Sequence, residues 1–226
     1  MKELYQKFFK GKIINCMGDS ITFGVNGLPE PHHVSNPYPK IMAETLNCVV
    51  NNYGISRSTI GGDGVTINHI NKGTVGYFPM WKRIKEMDKN ADYKIVFGGT
   101  NDYGNKEYTI PLGTIDDDNP MTFYGALKEV AKYLLETYPN SKNAFIIPLQ
   151  RSETDKNVYG NTFVEYVNAV KEVASMYGIP YLDLYSTSGS PKSLKWKETN
   201  MYDGLHPNEK YYYVLADRFI RFLMTI

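Results

Sequence analysis

The sequence lacks an excess of charge of either sign, because its 226 residues hold 25 Lys and Arg against 24 Asp and Glu, a net charge of +1. Proteins that follow a nucleic-acid backbone or an anionic lipid surface need an excess of positive charge, so neither is an expected partner. The sequence also lacks an apolar run long enough for a membrane span or for a signal-peptide core. We therefore expect a cytoplasmic protein without membrane insertion.

Cysteine is scarce as well. Cys16 and Cys48 both lie in apolar, strand-like runs, which favours buried free thiols over a redox pair or a metal site. Aromatic residues are plentiful in contrast, at 14% of the chain with 19 tyrosines. Because the tyrosine hydroxyl suits polar clefts as well as packed cores, this excess is compatible with a binding cleft.

Five short apolar runs alternate with longer amphipathic segments. The runs are typical of buried strands and span residues 12–17, 48–53, 93–98, 143–149 and 179–184. The segments typical of helices span residues 39–46, 78–87, 122–138, 163–177 and 208–224. This alternation predicts an α/β fold in which helices cover both faces of a parallel sheet. The chain is long enough for one core and short for two, so residues 1–226 are expected to form a single domain.

Two motifs at opposite ends of the chain point to serine chemistry. Ser20 follows the first predicted strand, where Gly18 permits a tight bend. Asp203 and His206 stand three residues apart, a spacing that lets a carboxylate hold imidazole Nδ1 while Nε2 accepts a proton from a serine hydroxyl. Each motif alone could instead be a helix cap, because Ser and Asp are both common at that position.

Two further residues are candidates for stabilising a developing oxyanion. Gly54 ends the second predicted strand and could bring a backbone N–H close to a substrate, and Asn101 follows the third strand and carries a side-chain amide. Either residue alone could be an ordinary turn residue. Ligands of such sheets bind at the carboxyl ends of the strands, where all of these candidates are expected to meet.

Four blocks spread across nearly the whole chain resemble those of the SGNH hydrolases, also called the GDSL lipase and esterase family. They are residues 18–21 (GDSI), 52–56 (NYGIS), 99–102 (GTND) and 203–207 (DGLHP). The resemblance implies a flavodoxin-like, three-layer α/β/α sandwich with a five-stranded parallel sheet in the order 2-1-3-4-5. It also implies an esterase or lipase that works through an acyl-enzyme without metal or cofactor.

The resemblance further implies a catalytic triad of Ser20, Asp203 and His206, and an oxyanion hole formed by Ser20, Gly54 and Asn101. The sequence departs from the family pattern at Arg57, where many relatives of this type carry a small residue. Arg57 would place a cation near the cleft, which weakens any inference of the substrate from relatives.

The expected substrate is a short-chain carboxylic ester, above all an O-acetyl group on a carbohydrate. No extended apolar loop indicates a deep acyl tunnel, and four aromatic residues in loops are suited to stacking on sugar rings. They are Tyr103, Tyr108, Trp196 and Tyr202. The alternatives are a lysophospholipase or thioesterase for longer acyl chains, a non-catalytic carbohydrate-binding protein of the same fold, and a flavodoxin-like nucleotide binder. The sequence does not indicate an oligomeric state.

Three other signals are weak. Adjacent His32 and His33 point apart in extended chain and have no ligand at a supporting spacing, which disfavours a metal site. Residues 116–118 lack the spacing of a calcium loop and indicate a solvated charge run, and residues 61–64 do not fit a phosphate-binding loop. The sequence also lacks the G-x-S-x-G elbow of α/β-hydrolases.

Overall fold

The structure is a computed structural model that describes residues 2–25, 33–64, 66–69, 73–76, 78–104 and 109–226. His32 and Tyr108, both weighed above, lie outside these residues.

A five-stranded parallel sheet forms the centre of the molecule, and a two-stranded antiparallel hairpin lies apart from it. In chain order the strands are β1 (Ile13–Gly18), β2 (Val49–Gly54), β3 (Thr66–His69), β4 (Gly73–Gly76), β5 (Tyr93–Phe97), β6 (Lys142–Ile147) and β7 (Tyr181–Asp183). The central sheet has the order β2-β1-β5-β6-β7, and β3 pairs with β4. The predicted order 2-1-3-4-5 is thereby confirmed.

Ten helices accompany these strands within the described residues. They are α1 (Lys2–Phe8), α2 (Ser20–Phe23), α3 (Tyr38–Leu46), α4 (Met80–Arg83), α5 (Thr100–Gly104), α6 (Phe123–Thr137), α7 (Phe163–Met176), α8 (Leu184–Thr187), α9 (Leu194–Asn200) and α10 (Glu209–Leu223). One hydrophobic cluster joins α4, α6 and α7 to one face of the sheet, and a second joins α1, α3 and α10 to the other face. The three-layer α/β/α arrangement follows from these two clusters.

The long helices begin at sites that their local sequence specifies. The Thr122 side chain accepts a hydrogen bond from the Gly125 amide at the start of α6, and Asn208 does the same for Tyr211 at the start of α10. Thr162 and Glu165 form a capping box on α7. These caps satisfy amides that have no partner within the helix, so each helix starts within one residue of its predicted position.

The structure adds several elements that the sequence pattern does not predict. They are α1, the β3–β4 hairpin and the short helices α5, α8 and α9. The predicted helix at 78–87 is wrong in length, because α4 is a single turn that continues as a 3₁₀ turn over Ile84–Glu86. Within the described part of the chain, no helix combines the length and the apolar character needed to cross a membrane.

Candidate active site

Ser20 is the first residue of α2, directly after the sharp turn that follows β1. Asp19 caps this helix, since its carboxylate accepts the Ile21 amide at 2.9 Å. Position 18 favours glycine, because a Cβ there would lie 1.9 Å from the Thr22 Oγ1. Ser20 is 5% exposed, so its hydroxyl is largely shielded from solvent at the carboxyl edge of the sheet.

Asp203 and His206 lie on a tight turn before α10, as their spacing predicts. The Asp203 Oδ1 accepts the Leu205 amide at 2.9 Å and the His206 amide at 2.7 Å. Gly204 has a φ of 86°, and a Cβ there would lie 2.2 Å from the Ser152 Oγ. The backbone of this turn therefore fixes the carboxylate beside the imidazole.

The structure brings the serine and the Asp–His pair together in one hydrogen-bonded chain. Ser20 Oγ lies 2.9 Å from His206 Nε2, and His206 Nδ1 lies 2.8 Å from Asp203 Oδ2. Burial raises the pKa of Asp203, but the hydrogen bond and charge of His206 and two amide donors outweigh it and lower this pKa to about 2. Asp203 is therefore ionised at neutral pH and can hold a proton on Nδ1, which leaves Nε2 to accept the serine proton.

Gly54 ends β2 beside Gly18, where the backbone of α2 approaches it closely. A Cβ on Gly54 would lie 2.3 Å from the Phe23 nitrogen, so only glycine fits there. The Gly54 N–H, however, donates to Asn52 Oδ1 at 2.8 Å. Donation to a substrate oxygen requires this bond to be shared or exchanged, and the assignment of Gly54 to an oxyanion hole stays a prediction.

Asn101 lies in the first turn of α5, at the end of the neighbouring strand β5. Its Nδ2 donates to the Ser58 carbonyl at 2.9 Å. A side-chain amide has two N–H donors, so one orients the side chain and the other remains for a substrate oxygen. This geometry agrees with the predicted role, which itself stays a prediction.

Two buried ionisable residues, Asp102 and Arg151, support this edge of the sheet, and neither was predicted to have a role. The Asp102 carboxylate accepts the Ile60 amide and the Gly61 amide at 2.9 to 3.0 Å, and burial raises its pKa to about 7. Arg151 Nη1 donates to the carbonyl and hydroxyl of Thr100 at 2.9 and 3.1 Å. Both hold the segments around Asn101. Asp102 is the last residue of the GTND block, and this was the only signal in the sequence for either residue.

Arg57 is exposed and has a φ of 66°, a left-handed conformation that favours glycine over side chains with a Cβ. The backbone of this turn thus explains why a small residue suits the position. The position of Arg57 near the cleft stays a prediction.

The prediction that four loop aromatics suit stacking on sugar rings is wrong for Tyr103, which is buried. Tyr103 is 2% exposed, packs on Phe163 within the core and donates its hydroxyl to the Asp155 carbonyl. Trp196 is half-buried, with its ring edge-on to Tyr211 at 5.4 Å. Tyr202, 53% exposed, is the remaining described member, and its amide donates to the His206 carbonyl at 2.8 Å.

The weak signals of the sequence have structural explanations of their own. The His33 ring packs edge-on against Phe23 at 4.6 Å. Asp118 pairs with Lys128 at 2.8 Å, and Asp117 accepts the Thr114 amide at 2.7 Å. Among the residues that the structure describes, no group of three or more His, Cys, Asp or Glu side chains is arranged to hold a metal ion.

Comparisons with known proteins identify the family and the fold. Residues 16–214 match the model of the GDSL-like lipase/acylhydrolase family. No curated protein sequence matches the chain. Among solved structures, a Lactobacillus plantarum protein is 29% identical, with 95% of this chain and 97% of that one covered and a TM-score of 0.79.

Two more distant structures share the fold. An aryl esterase of M. smegmatis is 18% identical over 95% of this chain and 99% of that one, with a TM-score of 0.69. A carbohydrate acetylesterase of Sinorhizobium meliloti is 16% identical over the same two shares, with a TM-score of 0.65. At these identities the likeness extends to the fold alone.

Proposed function

The chain belongs to the GDSL-like lipase/acylhydrolase family, and from this premise we propose that it is a serine esterase that removes short acyl groups, above all O-acetyl groups from a carbohydrate. The observation that carries the proposal is the hydrogen-bonded chain from Ser20 Oγ through His206 to Asp203, with distances of 2.9 and 2.8 Å. A serine hydroxyl in this arrangement is the usual nucleophile of acyl transfer.

In the proposed mechanism, His206 Nε2 takes the proton of Ser20 as Oγ attacks the ester carbonyl carbon. The carbonyl oxygen becomes an oxyanion, which the Ser20 amide, the Gly54 amide and the Asn101 side chain stabilise. His206 then gives the proton to the departing alkoxide, and an acyl group remains on Ser20. His206 Nε2 next takes a proton from a water molecule that attacks the acyl carbon, and it returns this proton to Ser20 Oγ as the bond to the acyl group breaks and the carboxylic acid leaves.

The proposed preference for a short acyl group and a sugar acceptor has less direct support than the proposed nucleophile. Tyr202 offers an exposed ring four residues from His206, and Tyr rings pack on the apolar faces of sugars. The acetylesterase from Sinorhizobium meliloti has the same fold, and acetyl removal from carbohydrates is the activity its name gives to that protein. The substrate class is therefore a proposal drawn from the site and from likeness together.

A chain-length series of p-nitrophenyl esters tests the acyl preference, and a panel of acetylated sugars and polysaccharides tests the acceptor by acetate release. We expect the highest kcat/KM for acetate or propionate, and measurable acetate release from at least one sugar ester. A maximum at octanoate or longer would favour the lysophospholipase or thioesterase alternative. Ser20→Ala serves as the blank, since it keeps the cleft and removes the nucleophile.

A non-catalytic carbohydrate-binding protein is the alternative from another class. A fluorophosphonate probe separates the two, because it reacts covalently only with an activated serine. We expect labelling of the wild-type protein and none of Ser20→Ala. Absence of labelling in a folded wild-type protein would favour the binding protein.

A further inference from the structure

Arg83 contacts both ends of the turn 53–58, the segment that connects Gly54 to the hydrogen-bond partner of Asn101. It is the last residue of α4, and its side chain is only 6% exposed. Its Nη2 donates to the Tyr53 carbonyl at 2.5 Å, and its Nη1 donates to Ser58 Oγ at 3.0 Å. One buried guanidinium therefore spans the turn.

The first contact acts on the peptide group that carries the Gly54 N–H. The Tyr53 carbonyl and the Gly54 amide belong to the same planar peptide unit, so fixing one fixes the direction of the other. A charged donor on the carbonyl also polarises the unit, which makes its N–H a stronger donor. Arg83 thus sets both the orientation and the strength of this amide.

The second contact acts on Asn101 through Ser58. Ser58 is fully buried, and its hydroxyl accepts from Arg83 while donating to the Phe78 carbonyl. Its own carbonyl accepts the Asn101 amide at 2.9 Å. Any shift of Ser58 therefore moves the acceptor that aims the Asn101 side chain.

Local electrostatics do not explain why a cation stands here. Glu86, the carboxylate that pairs with Arg83, lies 3.8 Å from its Nε and is 55% exposed. Burial lowers the pKa of Arg83, and Glu86 opposes that shift only in part. A buried cation is costly unless hydrogen bonds satisfy it. Here Nη1 and Nη2 bond to the two ends of the turn, while the buried Nε has no hydrogen-bond partner among the described residues.

We propose that Arg83 is a positioning residue of the oxyanion hole, which holds the turn 53–58 so that the Gly54 peptide and the Asn101 side chain face the same substrate oxygen. This inference rests on the proposed esterase function. It predicts a loss in the chemical step rather than in substrate binding, because an oxyanion exists only after Ser20 has attacked.

The test compares Arg83→Met and Arg83→Lys with two controls, Glu86→Gln and Lys82→Met. Lys82 precedes Arg83 on α4, and its ammonium pairs with the exposed Asp63 at 2.7 Å. With p-nitrophenyl acetate, we expect Arg83→Met to lower kcat about 30-fold while KM changes less than about threefold, as for loss of oxyanion stabilisation. Arg83→Lys should recover part of this loss, since one ammonium keeps the charge but cannot reach both acceptors in a fork. The affinity of a boronic acid that mimics the tetrahedral adduct should fall in the same proportion as kcat. Both controls should keep wild-type kcat.

Amide hydrogen exchange gives a readout that needs no turnover. In Arg83→Met we expect faster exchange in residues 53–58 with unchanged protection of β5 and β6. A wild-type kcat in Arg83→Met, or unchanged exchange in the turn, would overturn the inference. A wild-type protein that hydrolyses no ester instead contradicts the proposed function, and the exchange data still decide whether Arg83 holds the turn.

Discussion

Ser20 and His206 are 186 positions apart in the sequence, and their side chains meet at 2.9 Å between Oγ and Nε2. The strand-to-helix turn after β1 supplies one residue, and the turn before α10 supplies the other. Neither turn has a catalytic geometry by itself. The parallel sheet creates one, because its strands deliver the loops that follow them to a common edge.

Replacement of His206 by Ala should lower kcat for p-nitrophenyl acetate by about 10⁴-fold or more, because Ser20 then has no base to take its proton. Steady-state kinetics and the rate of fluorophosphonate labelling measure the effect. His33→Ala is the matched control, since the His33 ring packs edge-on against Phe23, outside the hydrogen-bonded chain of Ser20, His206 and Asp203. Equal losses in the two variants would argue against a special role for His206.

Replacement of Asn101 by Ala should cost kcat about 10²- to 10³-fold with little change in KM, the usual effect of losing one oxyanion donor. Combined with Ser20→Ala or with His206→Ala, the Asn101 substitution should lower kcat by less than the product of the two single losses, because these residues act in one step. Asn168→Ala, an exposed amide on α7, is the control and should behave as wild type. A kcat within about threefold of wild type in Asn101→Ala would remove Asn101 from the oxyanion hole.

Replacement of Gly54 by Ala should destabilise the fold by about 3 kcal/mol, because the added Cβ meets backbone atoms of α2 that cannot move aside. The contact would be 2.3 Å to the Phe23 nitrogen. Urea unfolding measures the change. Gly160→Ala separates the causes, since Gly160 has a φ of 81° but open space around its Cβ. That control should lose only about 1 kcal/mol, from backbone strain alone.

The sheet and the contact between Asp203 and His206 were predictable because both leave local patterns in the sequence. Strands buried on both faces read as short apolar runs, and their order followed from the resemblance to a family. The spacing of Asp203 and His206 is itself the geometry of the turn, since the carboxylate reaches the amides two and three residues on. A contact between residues three positions apart in one turn depends on the local sequence and little on the rest of the fold.

Other parts of the site depend on tertiary contacts that have no local pattern. Tyr103 stands in a polar stretch and was expected to suit stacking on a sugar ring, but α5 turns its own ring onto Phe163 in the core. Arg83 lies in an amphipathic segment where charged residues usually face solvent, yet it is buried against the turn 53–58. The bond between the Gly54 amide and Asn52 depends on one side-chain rotamer. Such features follow from the packed structure alone.

The lowered pKa of Asp203 predicts how stability depends on pH. Its pKa is about 2 in the folded protein against an ordinary value of 3.8 for an aspartate, so ionised Asp203 favours folding. A lowered carboxyl pKa contributes stability that is present above the unfolded value and is lost as the pH falls through the folded value. For a shift of this size the contribution is about 2 kcal/mol.

We therefore expect the free energy of unfolding of the wild-type protein to fall by about 2 kcal/mol more than that of Asp203→Asn between pH 4 and pH 2. Urea unfolding at half-unit steps of pH measures both proteins. Asp217→Asn, which removes an exposed carboxylate paired with Arg221, should keep the wild-type dependence. Buried carboxyls with raised pKa values, such as Asp19 and Asp102, act in the opposite direction and are common to all three proteins. The difference between the wild-type and Asp203→Asn curves thus isolates Asp203, and parallel curves would show that its carboxylate gains nothing from His206 on folding.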